Sequence, residues 1–293
     1  MIAVIGSSGF IGKNIQLVLK QLYREKCSEF IMVYFNNYDQ IDNCFKKIRF
    51  QEFINDSRLY NEIETIIITS GNSNRNINSC DFNTVLKKDT EYILELKDKF
   101  DSNLVLLSSG AVYDGKSGKV SEKTHIMPNS LYGMCKYNSE VVAKYVIDEL
   151  SNKKLIIYRL MYAYGKFEKN NRLFPLIALK IKSGKVFNVN GYNNYLNPLS
   201  GEFVARVFIE TALKINDFPK FDIINLASSK KFKLVKILEI MKKQKGLRYR
   251  LVSEEPCLKY ILSTDKLEHY LNKLDIDEED IEKNIIKYID DLF

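Results

Sequence analysis

The chain opens on Ile2-Ala3-Val4-Ile5, an unbroken apolar run, and passes directly into Gly6-Ser7-Ser8-Gly9-Phe10-Ile11-Gly12. No other stretch constrains the fold as tightly. A run that is apolar at every position suits a strand buried on both faces, as in a parallel sheet covered by helices. Beyond Gly12, Ile15, Leu17, Val18, Leu19 and Leu22 recur at roughly helical spacing, which predicts a helix over about 12–26. A glycine-rich turn between strand and helix leaves backbone N–H groups free at the positive end of the helix dipole, which makes an anion site. Glycines there keep the turn tight and let a pyrophosphate approach the backbone. The spacing is G-x-x-G-x-x-G rather than G-x-G-x-x-G, and its weight comes from its place between a first strand and a first helix. Gly6, Ser8, Gly9, Phe10, Ile11 and Gly12 are therefore candidate dinucleotide contacts.

Further apolar runs follow at Phe30–Phe35, Ile66–Ile68, Leu104–Leu107 and Leu155–Tyr158, separated by helical patterns at about 83–99 and 131–150. Strands that alternate with helices need crossover connections and hence a parallel sheet. From about Gly165 the pattern changes to helices near 172–183, 201–214, 232–243 and 277–291, with short strands near 186–189 and 222–226. The expected fold is α/β. A doubly wound, Rossmann-type parallel sheet occupies residues 1–165 and a smaller α+β substrate lobe occupies 166–293, with segments crossing between them. No linker rich in Gly, Pro or Ser separates the two, so they are expected to share an interface.

Composition removes several classes. A net charge of +7 from 44 Lys+Arg and 37 Asp+Glu is too mild to indicate a nucleic-acid binder. There are only two histidines, and the five cysteines contain no C-x-x-C pair, which argues against a metal site or a disulfide framework. Such cysteine usage fits a reducing, cytoplasmic setting. No apolar stretch approaches the ~18 residues of a membrane span.

Tyr132 and Lys136 are four residues apart at the start of the helical pattern at 131–150, so phenol and ammonium share a face. A cation beside a phenol favours phenolate and lowers its pKa toward neutrality, as a proton donor or acceptor for a carbonyl/alcohol pair requires. Upstream, the strand Leu106-Leu107-Ser108-Ser109 ends in hydroxyls, and ligands of α/β proteins sit at such carboxyl ends. A serine there could hydrogen-bond the same substrate oxygen. The second strand ends Tyr34-Phe35-Asn36-Asn37, with neither the acid that would bind an NAD ribose nor the arginine that would favour NADP. Asn36 or Asn37 could bond a ribose hydroxyl, and the choice between NAD and NADP stays open.

The glycine turn, Ser109 and the Tyr132/Lys136 pair, in this order, resemble the extended short-chain dehydrogenase/reductase family of sugar-nucleotide epimerases, dehydratases and reductases. The resemblance covers most of the chain. Thr69-Ser70-Gly71 matches the family's small residues beside the cofactor, and Glu52-Phe53 lies near its adenine-contacting acidic position. Arg159-Leu160-Met161-Tyr162-Ala163-Tyr164-Gly165 resembles R-x-x-N-x-Y-G. Asn190-Gly191, the helix from Glu202 and Ser263-Thr264-Asp265-Lys266-Leu267 resemble parts of the substrate half. By that resemblance, Ser109 orients the substrate oxygen, Tyr132 exchanges its proton, and Lys136 holds the nicotinamide ribose. Ser108 is the alternative for the Ser109 role.

The resemblance also bears on the reaction. Family dehydratases carry an Asp-Glu pair just after the strand-end hydroxyl, where this chain has Gly110 and Ala111, so dehydration is not expected. Val112-Tyr113-Asp114-Gly115 resembles the V-F-D-G stretch of dTDP-4-dehydrorhamnose reductases. The expected activity is reduction of a 4-keto nucleoside-diphosphate sugar, with a 4-epimerase as alternative and a non-catalytic dinucleotide sensor behind both. Gly110, Tyr162 and Arg172 are expected substrate contacts, with Lys180, Lys182 and Lys185 as further candidates for the pyrophosphate. His125 could approach the substrate. The helices at 83–99 and 131–150 resemble the pair through which family dimers associate, and a homodimer is expected.

Overall fold

The computed structural model describes residues 1–150, 152–257 and 259–293. Seven strands form its central sheet: β1 (Ile2–Ile5), β2 (Phe30–Tyr34), β3 (Lys46–Arg49), β4 (Thr65–Ile68), β5 (Asn103–Ser109), β6 (Leu155–Leu160) and β7 (Phe221–Leu226). Their spatial order is β7-β6-β5-β4-β1-β2-β3, and every pairing is parallel. Ala3 at the centre of β1 pairs with Ile31 on one side and Ile66 on the other. All four residues of β1 and of β4 are buried, as their unbroken apolar runs require.

Helices cover both faces. On one, α1 (Phe10–Leu22) packs against α5 (Gly201–Leu213) through Ile11, Ile15, Val18, Val204, Val207 and Phe208. On the other, α2 (Phe82–Lys97) packs against α3 (Leu131–Asp148) through Ile93, Leu96, Ala143, Val146 and Ile147. Each of the Val, Ile, Leu and Phe side chains among these contributes ~1.5–3 kcal/mol on leaving water, so these two interfaces carry the fold. A third core gathers around Tyr164, Phe174, Ile177, Ile237, Leu238 and Ile285, separate from these two. It joins α4 (Leu173–Ser183), α6 (Leu234–Lys245) and α8 (Ile281–Asp291).

The sheet draws more of the chain than the sequence pattern implies. The strand expected near 222–226 in the substrate lobe is β7, aligned with β6 from Phe221↔Leu155 to Leu226↔Leu160. Helix α5, expected in the same lobe, faces the sheet. Strand β3, Lys46-Lys47-Ile48-Arg49, is a polar edge strand with no apolar run to mark it. The helix expected over 277–291 is α8, preceded by the separate helix α7 (Asp265–Leu274). Asp275 stops α7 in the left-handed region at φ 59°. Helix α1 ends at Leu22 rather than near residue 26, giving way to a 3-10 turn at Arg24–Glu29.

The chain leaves β1 toward β2 and later returns to β4 on β1's other side. That reversal opens a crevice at the carboxyl ends of β1 and β4, where ligands of such sheets bind. Among the described residues, no helix is long and apolar enough to cross a membrane.

Candidate active site

A cleft of about 330 Å³ lies at this switch point. Gly9, Phe10 and Ile11 form its floor at the start of α1, and Thr69, Ser70 and Gly71 follow from β4. Ser109 ends β5, Tyr132 and Lys136 project from α3, and Met161 and Tyr162 follow β6. Glu168, Lys169 and Arg172 enter from the loop before α4.

The glycine turn is built to receive an anion. Gly6 sits at φ 87°, and a Cβ on Gly12 would lie 2.4 Å from the Gly6 carbonyl oxygen, so helix and turn touch backbone to backbone. Gly9 caps α1 without a side-chain hydrogen bond, which leaves the first N–H groups of the helix to a ligand. Ser7, by contrast, donates its hydroxyl to the Val33 carbonyl and ties the turn to β2. The turn therefore fits the pyrophosphate of a dinucleotide.

Ser108 and Ser109 have different environments. Ser108 is buried and donates to Glu140, which also receives two hydrogen bonds from buried Arg159, at 2.9 and 2.6 Å. Ser109 is half-buried, faces the cleft and caps the turn at Gly110–Tyr113 by accepting from the Ala111 N–H. Ser130 caps α3, accepting from Gly133 N–H at 3.0 Å, which fixes the helix start and so the direction of Tyr132. The Lys136 Nζ lies 5.8 Å from the Tyr132 ring centre, and the Arg75 guanidinium carbon lies at the same distance. Lys136 is itself buried and bonds Asp89 of α2 at 3.1 Å.

On the opposite wall, Tyr162 donates to Glu168 at 2.7 Å. Burial pushes the Glu168 carboxyl up to about 7, against the lowering effect of that hydrogen bond and of Arg172. Burial, reinforced by Glu168, holds the Tyr162 phenol well above its ordinary value.

The cleft thus brings together Gly9, Phe10, Ile11, Thr69, Ser70, Gly71, Ser109, Tyr132, Lys136, Tyr162 and Arg172. Other expected residues lie elsewhere. Phe53 is fully buried and stacks on Phe100 at 4.6 Å, so its side chain belongs to the core rather than to a ligand site. Glu52, Asn36 and Asn37 are exposed and lie outside the cleft lining. Gly110 is buried against Met161 and Leu262 behind the wall rather than facing substrate. Of the four cations considered for a pyrophosphate, only Arg172 lines the cleft; Lys180, Lys182 and Lys185 do not. His125 is exposed and outside it. Sequence reasoning missed Arg75, Asp89, Glu168 and Lys169. Arg75, Glu168 and Lys169 are marked in the sequence only as charges near small residues, which is too common to single them out, and Asp89 is one more charge within a helical pattern.

Residues 2–197 match the NAD dependent epimerase/dehydratase family. No curated protein matches the chain in sequence. Among solved structures, a UDP-glucose 4-epimerase is similar at 17% identity, covering 98% of this chain and 95% of that one, with a TM-score of 0.82. A dTDP-glucose 4,6-dehydratase from Bacillus anthracis, in complex with NAD, is similar at 20% identity over 99% and 95%, with a TM-score of 0.79. A UDP-glucuronic acid 4-epimerase from Bacillus cereus, in complex with NAD, gives 16% over 95% and 91%, with a TM-score of 0.75. At these identities the likeness establishes the fold. Because the family match runs from the first strand past the far wall of the cleft, the chain belongs to the NAD dependent epimerase/dehydratase family.

Proposed function

We propose that the chain reduces a 4-keto nucleoside-diphosphate sugar, with Tyr132 as the proton donor. The observation that carries this reading is the meeting of Ser109, Tyr132 and Lys136 in one cleft beside the glycine turn. NAD in its reduced form supplies the hydride when bound. Ser109, at the end of β5, hydrogen-bonds the sugar carbonyl oxygen and orients the carbon it belongs to. Tyr132 gives its phenolic proton to that oxygen as the carbon receives the hydride, so the ketone becomes an alcohol. The phenolate left behind is reprotonated from solvent. Lys136 has three N–H groups; one goes to Asp89, and two stay available for the hydroxyls of the nicotinamide ribose. Arg172 and Lys169 supply positive charge for a diphosphate on the substrate side.

Gly110 and Ala111, which follow Ser109, carry no acid or base, and this supports a reaction without dehydration. The decisive measurement is loss of NADH absorbance on adding 4-keto sugar nucleotides with UDP, GDP, CDP or dTDP as carrier. Stoichiometric loss is expected, and Tyr132→Phe should slow it ~10²–10⁴-fold. Unchanged turnover in that variant would remove Tyr132 from the mechanism. A second reading, 4-epimerisation, is supported by the similarity to 4-epimerase structures. Tightly retained NAD with conversion of a sugar nucleotide and no net cofactor consumption would establish it instead.

We also infer a homodimer through the outer face of α2 and α3. Leu94, Val141 and Tyr145 are 42%, 49% and 49% exposed there, while Val146 turns inward to the core. Sedimentation of Val141→Lys/Tyr145→Lys against the unsubstituted chain tests it, with a shift from dimer to monomer expected.

A further inference from the structure

The glycine turn follows β1, and Ser109, with Tyr132 and Lys136 beside it, stands at the end of β5, two strands away on one side. A dinucleotide whose pyrophosphate rests on the turn and whose nicotinamide reaches that group sends its adenosine half the other way, over the carboxyl ends of β2 and β3. Two devices at such an end choose the cofactor: an acid that takes the hydroxyls of the adenosine ribose, or an arginine that takes a 2′-phosphate. The place of the acid is filled by a ring. Phe35, the first residue after β2, stacks on Phe50 at 4.9 Å and meets Tyr92 edge-on at 5.7 Å. Both partners are buried, so the ring is locked in an apolar cluster. Asn36 and Asn37, which follow, are exposed and neutral. The arginine comes from the neighbouring strand. Arg49, the last residue of β3, is in register with Tyr34, the last of β2. Tyr34 packs against the core beneath α1, so Arg49 stands on that same face of the sheet. It is exposed, and among the described residues no group bonds or pairs with its guanidinium.

We propose that this end of the site accepts a 2′-phosphate, with Arg49 as its ligand, so that the chain takes NADP at least as tightly as NAD. A guanidinium with free donors offers a phosphate two parallel, charge-assisted hydrogen bonds, which a ribose hydroxyl cannot receive. The 2′-phosphate adds roughly two negative charges to the adenosine half, so the charge around Arg49 also counts. On the same face of the sheet, α1 and the loop after β2 border an open depression of about 910 Å³, ample for a ribose phosphate. Lys13, Lys47 and Lys166 line it, with Lys47 held over the Tyr38 ring at 3.8 Å. Of the two acids there, Asp42 is paired with Lys20, which leaves Asp39 to face three lysines. Glu52, three residues beyond Arg49, is exposed and does not bond it. Positive charge thus dominates this rim, and the Phe35 cluster offers nothing that repels a phosphate. Arg49 makes the same choice whether the sugar is reduced or epimerised, since only the binding of the cofactor is involved.

Isothermal titration calorimetry of the whole chain with NADPH and with NADH reads this choice without any sugar substrate. NADPH should bind at least as tightly as NADH. Arg49→Ala removes an exposed side chain that has no partner, so the fold should be kept. It should weaken NADPH roughly tenfold and leave NADH within about twofold. Asn36→Asp, at a second exposed position, puts a carboxylate where β2 ends and should weaken NADPH roughly tenfold relative to NADH. Adenosine 2′,5′-bisphosphate should compete with NADH better than AMP does, and lose that advantage in Arg49→Ala. The proposal is overturned if NADH binds more tightly than NADPH. It is also overturned if Arg49→Ala weakens both dinucleotides alike or leaves NADPH untouched. Binding of neither dinucleotide would overturn it by emptying the cleft of its cofactor. Failure of the catalytic reading shows separately, as unchanged turnover in Tyr132→Phe.

Discussion

Helix α3 holds one member of each of two buried ion pairs, four residues apart. Glu140 meets Arg159 of β6 inside the wall of the sheet, and Lys136 meets Asp89 of α2 at the edge of the cleft. The first pair is closed. Both Glu140 oxygens accept from Arg159, Ser108 adds a third bond, and the remaining guanidinium edge donates to Tyr113 at 2.8 Å. Tyr113 in turn donates to Asn225 of β7 at 2.9 Å, so the network joins α3, β5, β6 and β7. The second pair is open, because the ammonium keeps donors that no protein group in the cleft takes up. Two ion pairs of similar burial therefore do different work. One braces the structure, and the other leaves a charge facing the cleft. Across the cleft, Glu168 is a half-buried acid that bonds a phenol rather than a cation.

Substitutions can break this contrast. The largest effect on stability is expected from Glu140→Ala, which strands the Arg159 charge and should cost ~3–5 kcal/mol in urea unfolding. A loss below about 1 kcal/mol would mean that water or neighbouring groups already neutralise Arg159. Glu140→Leu with Arg159→Met should restore most of that loss, because no buried charge remains. Next comes the pH dependence of Glu168. The folded chain holds this proton up to about 7, whereas the ordinary carboxyl value is 4.5. The contribution is complete below about 4.5 and is lost as pH rises through about 7, for at most about 3 kcal/mol. Glu168→Gln should remove that decline when unfolding midpoints are compared at pH 4.5 and 8. The smallest effect separates the serines. Ser108→Ala should cost about 1–2 kcal/mol of stability and little turnover. Ser109→Ala should do the reverse, slowing turnover at least tenfold with an almost unchanged unfolding midpoint.

The strands buried on both faces were legible because their apolar runs are continuous. Helices α2 to α5 were legible to within two residues by their spacing. Strand β3 was not, because an edge strand needs no apolar face and Lys-Lys-Ile-Arg carries none. The place of β7 was not either: the run Ile223-Ile224 marks a strand but does not say which sheet it joins. In the cleft, Ser109, Tyr132 and Lys136 could be found because chemistry fixes their types and helical geometry fixes one spacing. Asp89 lies 47 residues from Lys136 in the chain, and only the packing of α2 on α3 makes them partners. Phe53 shows the opposite error, since adjacency to an acidic position says nothing about which way a ring turns.

The late arrival of β7 has a consequence for synthesis. Until residues 221–226 leave the ribosome, β6 is the outer strand of the sheet, with Leu155-Ile156-Ile157-Tyr158 and an unpaired row of backbone groups. An apolar, unprotected edge of this kind recruits other strands. The nascent chain must carry that hazard through about sixty further residues, at ~5–20 residues per second. The dinucleotide half is therefore least safe as a fragment, and a chain cut anywhere between β6 and β7 should aggregate where the whole protein does not.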